Sequence, residues 1–414
     1  MKIAFVNQPL DMLIPPYQNS IGIWTYKVAP QIAQNHDVLV YGKRSNLQKS
    51  WTGQPNVSYH FVPPVIPNRV MLNYLGKLKA NDDLPLYASR LYYFDYAFQI
   101  AWSLKQQKVQ IVHIHNFTQF VPIIRALNPK AKIVLHMNCE WLNQLDYDVM
   151  EQRIEQSDLI LGSSNYIAEL ARQRYPHYAE RCQTIYNGVD TDVFVSAENN
   201  GASASTREKR ILFVGRVSPE KGVHDLIEAF CLVAEKHPDA ILDIAGPIGA
   251  LPSEFIVGVS NDPLVSGLAK FYHEDYSDYL QRLIPDHLKQ RVNFLGGMGQ
   301  TDLVKHYQKA AVLVNPSYSE SFGMSLVEAM TTRIPVVATR AGGMVEITDN
   351  GRAGLLVDRG DVQALAAAIT RVFEDANLRQ ELEHLGYERV QTLFSWSQVA
   401  QRLLEKYEKL SPSV

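Results

Sequence analysis

Cysteine is scarce in this 414-residue chain: Cys139, Cys182 and Cys231 are scattered, odd in number and without metal-ligand spacing. That argues against a disulfide scaffold and reads as reduced thiols in a cytosol. No apolar run approaches the roughly 20 residues of a membrane span. Asn7, Gln8 and Pro9 end the first apolar run too early for a secretion signal, so a first strand is expected there. Net charge is only −3, so no global field draws the chain to nucleic acid. Gly-x-Gly-x-x-Gly does not occur, which removes the nicotinamide and flavin fingerprint. What is present, 46% hydrophobic and 20% charged residues, is the composition of a globular chain long enough for two domains with a core each.

Short apolar runs alternate with helical patterns along the whole length, and the alternation occurs twice. This is the sequence form of two doubly wound α/β domains. The first is expected over residues 1–195, with strands at 2–7, 38–41, 110–116, 132–136, 159–163 and 183–186. Gly22 opens a helix to about Ala33, residues 87–107 read as one long aromatic-rich helix, and Asn165 is the expected cap of another. Residues 196–209 are small, polar and charged, a linker. The second domain is expected over 210–394, with Thr301 as a helix cap and an insertion at 247–279 of no evident role. A last helix, 395–414, starts at a Ser395-Trp396-Ser397-Gln398 capping box.

The chemistry concentrates in the stretch from Ser317 to Met330. A buried strand, Ala311 to Val314, enters it, Asn315-Pro316 ends that strand, and Gly323 stands just before an apolar helix. The unpaired amides at such a helix start suit a phosphate. Glu320 and Glu328 flank the turn, and each carboxylate suits a pair of sugar or ribose hydroxyls. Arg216 and Lys221, in Gly215-Arg216-Val217-Ser218-Pro219-Glu220-Lys221-Gly222 after another strand, are placed to neutralise a diphosphate. In the first domain His113 and His115 share one face of a strand that ends in polar residues. His136, Asn138 and Glu140 cluster at the next strand end and are candidate acceptor-side groups. The pairs Asp146/Asp148 and Asp190/Asp192 have the form of a cation-binding Asp-x-Asp, but three-residue motifs recur by chance and no metal is expected.

The stretch from Glu320 to Glu328 resembles the Glu-x7-Glu signature of the family-4 retaining glycosyltransferases (glycosyltransferase group 1), which have the two-domain GT-B fold. Gly215-Arg216 with Lys221-Gly222, Asn187-Gly188-Val189-Asp190, Ala341-Gly342-Gly343 and Asn350-Gly351 resemble further elements of that family in the same order. The resemblance implies two Rossmann-like domains facing a cleft, with the C-terminal helix crossing back to the first. It implies that Arg216, Lys221, Ser325, Leu326 and Gly22 hold the donor phosphates. Gly22 stands where the family has a glycine pair and this chain keeps one. Glu320, Phe322, Gly323, Met324 and His115 would contact the donor sugar, with His115 and Glu320 nearest the reaction. Gly297, Met298 and Glu328 would hold the nucleoside. For His113 a structural role is expected.

The implied reaction is transfer of a hexose from a nucleotide-diphosphate sugar, UDP-glucose first among the donors, to a hydroxyl of a glycan or glycolipid acceptor in polysaccharide or envelope glycan synthesis. The nucleotide sugar is a co-substrate, and no cofactor or metal is called for. A UDP-sugar 2-epimerase of the same architecture and a non-catalytic nucleotide-sugar-binding protein stay open as alternatives. Residues 70–79 mix apolar and basic side chains, which suits either a buried helix or peripheral contact with a membrane. The expected place is the cytoplasm, with the inner membrane face as a variant. Oligomeric state is not legible.

Overall fold

A computed structural model describes residues 1–15, 18–43, 51–63, 84–194, 208–249 and 251–410. The chain divides into two compact units, Met1–Asn187 with Trp396–Val414, and Gly188–Ser395. Residues 70–79 and most of the 196–209 stretch lie outside the described residues.

In the first unit the described residues form a seven-stranded parallel sheet. Its strands are β1 (Lys2–Val6), β2 (Asp37–Lys43), β3 (Val57–Val62), β4 (Ile111–His115), β5 (Lys132–Met137), β6 (Leu159–Gly162) and β7 (Cys182–Thr184). They lie in the order β3-β2-β1-β4-β5-β6-β7. β4 and most of β1 are buried continuously, as strands covered by helices on both faces must be. The helix Trp396–Leu410 belongs to this unit and packs on the helix Ser20–Ile32. Its Tyr407 is fully buried.

The second unit repeats the plan with six strands. These are β8 (Arg210–Val214), β9 (Ile241–Ala245), β10 (Val292–Gly296), β11 (Val312–Asn315), β12 (Val336–Thr339) and β13 (Leu355–Val357), ordered β10-β9-β8-β11-β12-β13. Its core interleaves β8, β9 and β11 with the helices Val223–Lys236 and Val362–Glu374, through residues such as Ile211, Phe213, Leu226, Phe230, Ile369 and Val372. In each unit the strand order reverses once, between β1 and β4 and between β8 and β11. Parallel sheets leave a crevice at the carboxyl ends of the strands at such a point, where ligands collect. Among the described residues no helix is long and apolar enough to cross a membrane.

Several local expectations need correction. The helix expected over 87–107 begins only at Phe94, because Tyr93 takes a left-handed backbone with φ 57°, which no helix continues. Residues 86–88 form a separate 3-10 turn. Ser164, not Asn165, caps the helix Asn165–Arg174, its side chain accepting from the Ile167 amide at 3.2 Å. Thr301 caps nothing: that helix starts at Gln300, with Gly299 in the cap position. The insertion is not irregular throughout, since it holds the short helices Pro263–Ser266 and Tyr276–Leu283.

Candidate functional site

In the second unit the crevice is built from the loop after β8 and the turn after β11. Gly222 lies between them with φ 66°, and a Cβ there would sit 2.1 Å from the Pro316 carbonyl oxygen. Only glycine lets these two loops meet so closely. As a result Lys221 Nζ lies 2.8 Å from the Glu320 carboxylate and 3.5 Å from the Ser319 carbonyl oxygen. Both side chains of the pair are about one-fifth exposed, so they are reachable from solvent yet shielded by protein. The sequence-predicted phosphate and sugar residues are thereby joined in one ion pair.

Arg216 stands beside them, its Nη1 3.9 Å from the Glu220 carboxylate and without a hydrogen-bond partner, although that nitrogen is buried. Glu220 is itself fully buried, accepts from the Ser218 hydroxyl at 2.6 Å and keeps its other oxygen unpartnered. An arginine held near a carboxylate but not saturated by it retains donors for an incoming anion.

Gly323 has φ 104° and stands at the cap position of the helix Met324–Thr331. The amides of Met324 and Ser325, in the first helical turn, have no carbonyl partner within the helix. Leu326, expected among the phosphate contacts, does not fit that role: its amide donates to the Gly323 carbonyl at 3.0 Å and its side chain is fully buried. Phe322 is buried against Phe394, ring centroids 5.7 Å apart, so its side chain is spent on packing and its backbone alone is left for a ligand. Asn315 ties the turn together, donating to the Ser325 hydroxyl at 3.3 Å and accepting from the Ser317 hydroxyl at 2.6 Å.

Glu328 sits one helical turn further on, 6% exposed. The Tyr307 hydroxyl donates to it at 2.6 Å, and Gln300 bonds it too. Burial pushes its carboxyl up to about 7, with the Tyr307 and Gln300 bonds pulling the other way. Gln300 follows directly on Gly297 and Met298, which form the partly exposed loop after β10. The expected nucleoside trio is thus linked through a residue the sequence reading had not singled out.

Without ligand, this carboxyl carries its proton up to about pH 7 in the folded chain, but only to its ordinary value near 4.5 when unfolded. Its contribution to stability is therefore complete below pH 4.5 and is lost as pH rises to 7. Glu328→Gln, neutral throughout, should equal the wild type near pH 4.5 and exceed it by about 3 kcal/mol at pH 8. Urea unfolding at the two pH values measures this, and an advantage independent of pH would refute the buried-acid account.

The first unit places its polar groups at the carboxyl ends of β1, β4 and β5. His115 pairs in register with His136 across β4 and β5. His113, His115 and His136 form one fully buried cluster. His113 Nδ1 is 2.6 Å from the Tyr407 hydroxyl and its Nε2 3.1 Å from His136 Nδ1, while His115 Nε2 is 3.2 Å from the Thr25 hydroxyl. Burial lowers the basicity of all three, that of His115 to about 3, so they are neutral at ordinary pH. His136, a candidate acceptor-side group, is corrected to a member of this interior cluster.

The three imidazoles also form the described group with metal-ligand proximity, their ring nitrogens within 4.8 Å of one another. The Trp24 indole packs 5.0–5.2 Å from each ring. No carboxylate joins the group, so a dication there would lie in an apolar, uncompensated setting. The Asp-x-Asp pairs serve as caps: Asp146 accepts from the Val149 amide, and Asp190 from the amides of Asp192 and Val193.

Gly22 is corrected in its reason. It lies inside the helix Ser20–Ile32, its amide donates to the Asn19 side chain at 2.9 Å, and a Cβ there would be 1.9 Å from the Met12 carbonyl oxygen. The glycine admits the neighbouring loop, and its own N–H is not left over for phosphate. Asn138 and Glu140 remain half-exposed at the end of β5, the Asn138 amide donating to Asn116 at 2.6 Å. Asp11, which the sequence reading missed, accepts from the Gln8 amide and the Asn19 side chain, and burial pushes its carboxyl up to about 7.

Known proteins share this arrangement. Residues 31–193 match the model of Glycosyltransferase Family 4, and residues 196–389 that of Glycosyl transferases group 1. The chain is 24% identical over 427 residues to spore coat protein SA of Bacillus subtilis (strain 168), covering 99% of this chain and 100% of that one. Its fold is similar to that of sucrose-phosphate synthase from Thermosynechococcus elongatus, with TM-score 0.72, 20% identity and 99% coverage of each chain. It is similar also to that of Anabaena HepE in complex with UDP and glucose, with TM-score 0.70, 20% identity and 99% coverage of each. With a family-4 half followed by a group 1 half, each on its own parallel sheet, the chain belongs to the family-4, group 1 glycosyltransferases of the GT-B fold.

Proposed function

We propose that the chain transfers a hexose from a UDP-sugar, UDP-glucose first, to a hydroxyl of a glycan or glycolipid acceptor with retention of anomeric configuration. The observation that carries this is the Lys221–Glu320 pair at 2.8 Å beside Arg216 and the helix start at Gly323. Breaking the anomeric bond puts negative charge on the departing diphosphate. Arg216, Lys221 and the amides of Met324 and Ser325 are fixed dipoles and charges aimed at one place, which is how such charge is stabilised without reorganisation. Charge-assisted hydrogen bonds contribute roughly 1.5–3 kcal/mol each, enough for a substantial rate effect without a divalent ion.

Glu320, already held by a lysine, suits orientation of sugar hydroxyls better than attack on the anomeric carbon. Retention would then rest on attack from the leaving-group face, with the phosphate accepting the acceptor's proton. Glu328, with a hydroxyl and an amide already on it, suits the ribose. His115, neutral and buried, suits a hydrogen bond to the sugar and not proton transfer. HepE, which has the same fold, is solved with UDP and glucose, and that supports uridine and glucose as first choices.

A panel of UDP- and GDP-sugars, scored for binding and slow hydrolysis with and without manganese, tests donor, base and metal together. The expected result is UDP-glucose binding and hydrolysis that manganese leaves unchanged. Proton NMR of the transfer product should show the donor's α configuration. A GDP preference, a manganese requirement or an inverted product would each overturn the corresponding part.

A further inference from the structure

The insertion between β9 and β10 reaches the donor turn by two routes, and both end on Tyr318. The first is ionic. Arg359 Nη1 donates to the Asp262 carboxylate at 2.5 Å and to the Tyr318 carbonyl at 3.1 Å. The second is aromatic. Phe271 and Tyr276 pack on His224 with ring centroids 4.5 and 6.0 Å away, and the Tyr276 hydroxyl lies 2.8 Å from His224 Nδ1. His224 in turn lies parallel to the Tyr318 ring, 5.8 Å between centroids and 11° between planes.

Tyr318 is held at every polar atom. Its amide donates to the Glu220 carbonyl at 2.8 Å, its carbonyl accepts from Arg359, and its hydroxyl bonds the Asp225 carboxyl. Gly360, with φ 78°, passes so close that a Cβ would be 2.9 Å from that hydroxyl. Glu220 is the residue before Lys221, and Tyr318 stands two before Glu320. One side chain therefore sets the spacing of both members of the ion pair. The Asp262–Arg359 pair is partly exposed, side chains 36% and 23% accessible, and a pair so exposed adds little to stability. Its second bond, onto the backbone of the donor turn, gives it a geometric task.

We infer that the insertion is a clamp on the donor turn and that Tyr318 is the positioning residue through which it holds Glu320 against the donor sugar; this rests on the donor-site reading above. A shift of about 1 Å in such a group costs on the order of 10²-fold in rate. The clamp acts on the sugar-facing carboxylate, while the ribose-facing Glu328 lies beyond it on the helix. Its loss should therefore separate sugar chemistry from nucleotide binding.

The test uses the full chain with Asp262→Ala, Arg359→Ala and the double variant, measuring UDP affinity by calorimetry, UDP-glucose hydrolysis and thermal midpoint. Expected is a fall of about 10-fold or more in the hydrolysis rate constant. UDP affinity should stay within about twofold and the midpoint within about 2 °C. The double variant should be no worse than either single one, because the two residues form one device. Unchanged hydrolysis, or hydrolysis falling only in step with UDP affinity and midpoint, would overturn the clamp. A wild-type chain that binds no UDP would overturn the donor reading and the clamp with it. A wild type that binds, with variants that match it, overturns the clamp alone.

Discussion

Replacing Glu320 by alanine is expected to lower sugar transfer by about 10²–10³-fold, the loss typical of one preorganised electrostatic contact to a reacting centre. UDP affinity should stay the same or tighten several-fold. The second half of that expectation comes from the ion pair. In the unliganded chain Lys221 Nζ is already engaged by the Glu320 carboxylate at 2.8 Å, so an arriving diphosphate must compete for it. Removing the carboxylate leaves Lys221 the Ser319 carbonyl at 3.5 Å, a poor partner, and frees its charge for phosphate. The sugar meanwhile loses the group that orients it. The difference in affinity between UDP-glucose and UDP should therefore collapse, with calorimetry of both ligands and single-turnover transfer as the measurements. Glu320→Gln separates the two effects, since it frees the lysine and keeps hydrogen-bonding atoms near the sugar. Transfer within about fivefold of wild type in Glu320→Ala would remove the carboxylate from the mechanism.

The second-unit site was legible because its parts are adjacent in sequence. A strand, a glycine and a helix start within a few residues announce an anion site, and Arg216 and Lys221 follow a strand end in the same way. What sequence could not give was distance. Nothing in the spacing between Lys221 and Glu320 says that their charges touch; that follows from Gly222 passing against Pro316. Local rules also misassigned groups that tertiary contacts had already used. Gly22 looked like a phosphate glycine, and the Met12 loop is what requires it. Leu326 looked like a free helix-start amide, but the turn at Gly323 bends back to accept it. His136 looked exposed at a strand end, yet it lies beside His115 in register and is covered by Trp24. Tyr318 was passed over because it carries no signal of its own: its importance lies in Arg359, Asp225 and His224, all distant in the chain.

Arg216→Ala combined with Lys221→Ala should weaken UDP binding by about 10²–10⁴-fold, on the scale of two charge-assisted contacts of roughly 1.5–3 kcal/mol each. The two losses should not simply add, because each leaves a different carboxylate behind. Without Lys221, Glu320 faces the diphosphate with its charge unpaired. Without Arg216, the fully buried Glu220 keeps the Ser218 hydroxyl at 2.6 Å but loses the cation 3.9 Å away. The first defect lies in the ligand's path and repels it; the second lies behind it and weakens the loop that carries Lys221. Adding Glu320→Ala to Lys221→Ala should accordingly recover part of the lost UDP affinity, while adding it to Arg216→Ala should recover none. Calorimetry with UDP across the two double variants reads this directly, with a coupling of about 0.5–3 kcal/mol expected for the Lys221–Glu320 cycle. Equal affinity of the Arg216→Ala, Lys221→Ala chain and the wild type would move the diphosphate out of this crevice. Equal recovery in both backgrounds would mean that Glu320 acts on the phosphate by its charge at large and not through the lysine it touches.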